Sequence, residues 1–199
     1  MQHKIRTEVL RKLIHMSSLI IPLGYRYIVH EDRKVMFLIM LPLTLIMLIV
    51  EIVRLEHKTF KRVFFKTFGI MLRRHEESNF TGATYLMVSS VVCIAFFPGH
   101  NIAFLALSSL AVGDTLAAIV GMSLGRRKFV GSKKSLEGSL ACFTGIMAFG
   151  LVFGVNPTLT FIGALVATLA ELSRYPLDDN IKIPLSVALA MALARFIFI

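Results

Sequence analysis

The chain has 199 residues, of which 56% are hydrophobic and only 17% charged, with a formal net charge of +10. A mean hydropathy of +0.74 is too high for a water-soluble domain, and apolar runs recur from end to end, so the membrane-embedded part is the protein itself, 1–199, as a single domain. Cys93 and Cys142 both fall inside apolar runs and read as small packing residues, which excludes a disulfide-stapled scaffold.

A helix crosses about 30 Å of hydrocarbon at about 1.5 Å per residue, and that length predicts an all-α polytopic bundle of about seven transmembrane helices plus an interfacial amphipathic helix. The first span is expected over residues 13–29. Its basic approach resembles a secretory signal, but residues 25–30 offer no small-residue cleavage pattern, so it reads as a retained helix. Glu8, Arg11, Lys12, His15 and Ser18 follow helical spacing and form one polar stripe entering the bilayer. The second span, 35–53, ends in Glu51 and Arg54, three apart and able to pair. Then Phe60, Val63, Phe64, Thr67, Phe68 and Met71 recur opposite Lys58, Arg62 and Lys66, which predicts a helix lying in the interface, either as a lipid-hugging linker or as a lateral gate.

The third span, 81–97, opens on Thr81, Gly82 and Thr84 just after Asn79. The fourth, 102–124, carries Asp114 and Thr115. Asp114 sits among Leu110, Ala111, Ala117, Ala118 and Ile119 with no basic residue within a helical turn; an intramembrane acid is costly, so it is read as functional, facing a polar cavity or a bound cation. Ser109, Gly113, Ala117, Gly121 and Gly125 recur every fourth residue and leave a seam for close helix approach, within the chain or in a homodimer.

A glycine-punctuated basic loop follows: Gly125, Arg126, Arg127, Lys128, Gly131, Lys133 and Lys134. Flexible backbone beside clustered cations predicts a phosphate guest. Ser135 is a candidate N-cap for the fifth span, 138–155, whose amide-rich start is itself an anion site, and Glu137 is either a capping residue or a metal ligand. The sixth span, 157–175, ends with Glu171 and Arg174; Asp178, Asp179 and Asn180 precede the seventh, 181–198. Neither a Walker A spacing nor a dinucleotide glycine motif occurs.

All lysines and arginines except Arg26, Arg33, Lys34 and Arg195 fall in alternate connections, which predicts a cytoplasmic N-terminus and an external C-terminus. The unusual polar residues of six spans lie near that same end. Such a face attracts anionic lipid headgroups and polyphosphates alike; nucleic acid is not an expected partner, because no water-exposed segment offers aromatic platforms or a groove-reading element.

The run Asp114, Thr115, Ala117, Gly121, Gly125, Gly131, Lys133, Lys134, Ser135, Glu137, Gly138, Ser139 resembles the CTP-binding signature of the polyprenol and dolichol kinase family, which includes phytol kinases and CTP-dependent diacylglycerol kinases. Arg11, Lys12 and His15 resemble its amino-terminal Arg-Lys-x-x-His element, and Glu171 with Asp178, Asp179, Asn180 and Pro184 its carboxy-terminal element. The chain has only the length of a minimal catalytic unit. The resemblance implies transfer of the CTP γ-phosphate to the hydroxyl of a polyprenol-, dolichol-, phytol- or diacylglycerol-type lipid in a bacterial, archaeal or ER-type membrane, with the active site cytoplasmic. Asp114 with Glu171 or Asp179 would hold Mg²⁺; Arg11 and Lys12 would contact the transferred or departing phosphate; His15 or Asp114 would take the hydroxyl proton. Thr115, Gly121, Gly125, Gly131, Lys133, Lys134, Ser135, Glu137, Gly138 and Asn180 are the expected nucleotide-binding positions. A phosphatidate cytidylyltransferase would use the same nucleotide and break a different bond; a lipid transporter or scaffold is the reading from another class, against which stands the lack of paired, internally repeated halves.

Overall fold

Backbone groups in hydrocarbon must be satisfied within their own segment, and the computed structural model, described for residues 12, 15–69, 72, 74–132 and 134–198, is accordingly helical almost throughout. In chain order the helices are α1 (Ile20–Leu23), running into a π-helical turn (Gly24–Ile28), α2 (Arg33–Glu56), α3 (Lys58–Phe68), a 3₁₀ turn (Arg74–Glu77), α4 (Gly82–Phe96), α5 (His100–Ser123), α6 (Leu136–Val152), α7 (Pro157–Leu172) and α8 (Asp179–Phe198). Asp32, Ser135 and Asn156 cap α2, α6 and α7 through their side-chain oxygens.

Three of these, α2, α5 and α8, are long and apolar enough to cross a bilayer. The expected third, fifth and sixth crossings differ in kind: α4, α6 and α7 are apolar but have 15, 17 and 16 residues. At about 1.5 Å per residue they fall short of about 30 Å, because Pro98, Gly154 and the Ser173–Pro176 stretch end them early. The first expected span is not one continuous helix. Pro22 supplies no amide for the Ser18 carbonyl, which accepts from the Ile21 amide at 3.1 Å instead, and the Ser18 and Leu19 amides likewise bond three residues back, so the chain tightens into a turn at Ser18 and Leu19 before α1.

The central helix is α5, buried without interruption over residues 102–113. It packs against α6, α7 and α8, and also meets α1 and α4. The seam of small residues turns out to face α6 within the chain: a Cβ on Gly113 would meet Ile146 Cδ1 at 2.8 Å and Cys142 Sγ at 2.9 Å, and one on Gly138 would meet the Ala117 carbonyl at 2.7 Å. At the periphery α2 shows Leu38, Ile46 and Ile49 to the outside, as a lipid-facing helix should. The contacts also sort the connections into two ends. Lys12, the 74–81 segment, the 124–135 loop and the α7–α8 connection meet at the basic end, whereas Arg26 with Asn101, Arg33 with the Ala95 carbonyl and Arg195 with the Pro98 carbonyl mark the other.

Candidate functional site

Asp114 is set at the basic-end half of α5 and, despite having no cation on its own helix, it is not alone. Lys12 Nζ pairs with its carboxylate and also donates to its backbone oxygen at 3.2 Å, and His15 Nε2 stands 3.5 Å from the same carboxylate oxygen. Lys12 and His15, the described members of the first segment's polar stripe that reach α5, therefore dock against the intramembrane acid. Lysine, acid and imidazole are all largely withdrawn from solvent, with side chains 13%, 20% and 18% exposed, so their interactions are little screened. Beside them Thr115 is buried, and its hydroxyl has no hydrogen-bond partner among the described residues.

One helix over, Lys134 binds Glu171 at 2.9 Å and donates also to its backbone carbonyl. Glu171 and Arg174 do not pair; the Arg174 guanidinium goes to the Val130 carbonyl, beside Gly131, whose φ of +67° suits glycine. α6 packs on both α5, which carries Asp114, and α7, which carries Glu171, and its Cys142 lies against Gly113, the residue before Asp114. The basic loop between α5 and α6 is ordered by its neighbours. Ser135 Oγ accepts from the Gly138 amide at 3.1 Å, as a cap should, and Lys128 bridges to Ser135. Glu137 is a clasp: it accepts from the Arg127 amide at 3.2 and 3.3 Å, and backbone hydrogen bonds, its own amide's foremost, hold its carboxyl below the ordinary range. Gly121 and Gly125 serve packing, each placed where a Cβ would press on Ser135.

Beyond Lys134 the basic end opens into a cleft of about 460 Å³ between the α7–α8 connection and the start of α4, lined among others by Asn79, Tyr85, Tyr175, Asp178 and Asp179. Asn180 faces inward instead. It is buried, its amide donates to Asp178 Oδ1 at 2.6 Å, and its carbonyl accepts from Ser89 at 2.8 Å, tying α8 to α4.

The expected metal set is not assembled. Asp114 is engaged by Lys12, Glu171 by Lys134 and Asp179 by Lys182 at 2.8 Å, and no three His, Cys, Asp or Glu side chains gather as a metal site among the described residues. A protein-held Mg²⁺ does not fit carboxylates already neutralised in this way, for the physical reason that each ammonium occupies the position a cation would take. Arg11 and Lys133 lie outside the described residues. Sequence reasoning passed over Tyr85, Tyr175 and Lys182, whose place on the cleft depends on a loop and two helix starts meeting. It also undervalued Glu51 and Arg54: their pair, at 2.5 and 2.9 Å, is wholly buried, and Arg54 additionally donates to the Glu76 and Asn79 carbonyls at 2.9 and 2.7 Å.

No family model matches the chain, and no solved structure matches significantly. It is 25% identical over 201 residues to an uncharacterised protein of Rickettsia prowazekii, covering 96% of each chain. An uncharacterised protein of Methanocaldococcus jannaschii is 29% identical over 119 residues, 59% of this chain and 61% of that one. Over 211 residues, 92% of this chain and 72% of the relative, it is 26% identical to a CTP-dependent diacylglycerol kinase of Saccharomyces cerevisiae.

Proposed function

We propose that the protein is an integral membrane lipid kinase that transfers the γ-phosphate of CTP to the hydroxyl of a lipid alcohol of the diacylglycerol, polyprenol, dolichol or phytol type, at a cytoplasmic basic face. The observation that carries this reading is the cluster of Lys12 and His15 at Asp114 on α5 together with the pairing of Lys134 to Glu171 on α7, two helices that pack on each other and on α6. Similarity to the yeast kinase over most of this chain supports CTP as the donor.

Phosphoryl transfer asks for positioning and charge neutralisation more than for covalent chemistry. The lipid hydroxyl oxygen bonds to the γ-phosphorus, the bond from that phosphorus to the β–γ bridging oxygen breaks, and CDP departs. With Nε2 turned towards Asp114, His15 Nδ1 is the nitrogen that accepts the hydroxyl proton, and the carboxylate orients the ring. Asp114 is the weaker candidate for base because it is already committed to Lys12. Lys12 and Lys134 each keep their carboxylate partner and direct a remaining N–H to the phosphates when the nucleotide enters, and any Mg²⁺ arrives as Mg·CTP, the substrate.

The deciding experiment uses the purified chain in nanodiscs containing diacylglycerol or an isoprenoid alcohol, with CTP labelled at either the γ- or the α-phosphorus. Lipid labelled from γ alone is the expected outcome. Label from the α position would replace the kinase with a cytidylyltransferase, and no label from either would leave a transporter or scaffold.

A further inference from the structure

The cleft beside Lys134 has a volume of about 460 Å³, in the range of small-ligand sites, about 300–1,000 Å³, yet its charge is wrong for a triphosphate cradle. Lys182 is matched by Asp179 at 2.8 Å, Lys134 by Glu171 at 2.9 Å, and the lining adds one further cation, Arg174, and one further carboxylate, Asp178. Cations and acids therefore nearly cancel, and four negative charges of a nucleotide tail would find no net attraction here.

What the lining does offer is flat rings, an amide and two carboxylates. Tyr175 is two-thirds exposed, and Tyr85 is seated edge-on against Phe80, with ring centroids 6.3 Å apart. Asn79 carries a donor and an acceptor on one planar group, the combination that matches the edge of a pyrimidine bearing an amino group beside a ring nitrogen and a carbonyl. Asp178 and Asp179 are acceptors suited to vicinal hydroxyls, as an acid serves a ribose in dinucleotide sites. The rim is held firmly. Arg54, wholly buried and bound to Glu51, donates to the Asn79 carbonyl at 2.7 Å, and the Asn180 backbone amide and side chain fix Asp178 at 2.9 and 2.6 Å. Binding sites gain from such pre-set geometry because little freedom is left to lose.

We propose that this cleft holds the cytosine and ribose of the nucleotide, with Asn79, Tyr85 and Tyr175 on the base and Asp178 and Asp179 on the ribose hydroxyls. The inference rests on the CTP reading above. Lys134 belongs both to this lining and to the Glu171 pair, so in this assignment the phosphate tail leaves the cleft past Lys134.

The test is equilibrium binding of radiolabelled CTP to the full chain in nanodiscs, with competition by dCTP and by inorganic triphosphate, which reads the cleft whether or not transfer occurs. Tyr175→Ala and Asn79→Ala are each expected to weaken CTP about tenfold while leaving the inhibition constant of inorganic triphosphate unchanged, and Tyr175→Phe to restore binding. Asp179→Asn is expected to reduce the preference for CTP over dCTP. Wild-type CTP affinity in all these variants would overturn the assignment and leave the kinase reading intact, as would an equal loss for inorganic triphosphate, which would make the cleft a phosphate site. A wild-type chain that binds no CTP would overturn both.

Discussion

Glu51 and Arg54 lie three residues apart near the end of a membrane helix, where such a pair is ordinarily a surface ornament; here neither touches solvent. Removing one partner leaves a buried charge without compensation, so Arg54→Met is expected to cost about 3–5 kcal/mol, read as a lowered melting midpoint in detergent, and adding Glu51→Leu to recover part of the loss. An unchanged midpoint for the single variant would show that the pair carries no such role. Asp114 is a different kind of acid, tied to a lysine and a histidine that converge on it from a distant part of the chain. Asp114→Asn is expected to lower kcat at least about 100-fold with membrane insertion unchanged, and the double variant with Lys12→Met to be no worse in kcat than the single, because the two act as a unit. Additive losses would separate their roles.

At the scale of helices, the feature on which Asp114's surroundings rest is the close packing of α5 against α6. It depends on Gly138, where a Cβ would lie 2.7 Å from a backbone oxygen that has nowhere to go, and much less on Gly121, where the nearest atom is a serine hydroxyl at 3.3 Å. Gly138→Ala is therefore expected to destabilise by about 1–3 kcal/mol and Gly121→Ala by much less; a reversed order in thermal melts would mean that the helices meet elsewhere. The loop that follows α5 is clasped by Glu137. Its carboxyl ionises below the ordinary value, so the clasp is complete at neutral pH and is released only as the pH falls below the usual glutamate range. Glu137→Gln should speed amide exchange at Arg127 at neutral pH, which hydrogen-exchange mass spectrometry would detect.

For the whole molecule, the basic end is also the end that holds the cleft, Lys12 and Lys134. If that end faces the cytoplasm, a cysteine placed at Arg174 should react with an impermeant thiol reagent only in inside-out vesicles, and one at Arg195 only in right-side-out vesicles. Reaction of both from one side would break the alternation on which the orientation rests.

Composition, hydropathy and the recurrence of charges were enough to establish a helical membrane protein with its cations at one end, because a chain in lipid must satisfy its backbone locally and signals each helix by its own apolar run. The Ser135 cap, the seam on α5 and the isolation of Asp114 within its helix were legible for the same reason: each depends on neighbours a few residues away. Three matters were decided only by tertiary packing. The first segment breaks at Ser18, the carboxylates expected to gather around a metal are instead distributed among three lysines, and Asn79, Tyr85 and Tyr175 come together on a cleft. Which cation reaches which acid depends on how helices distant in sequence cross, and helical periodicity records the face of a helix without recording what is packed against it.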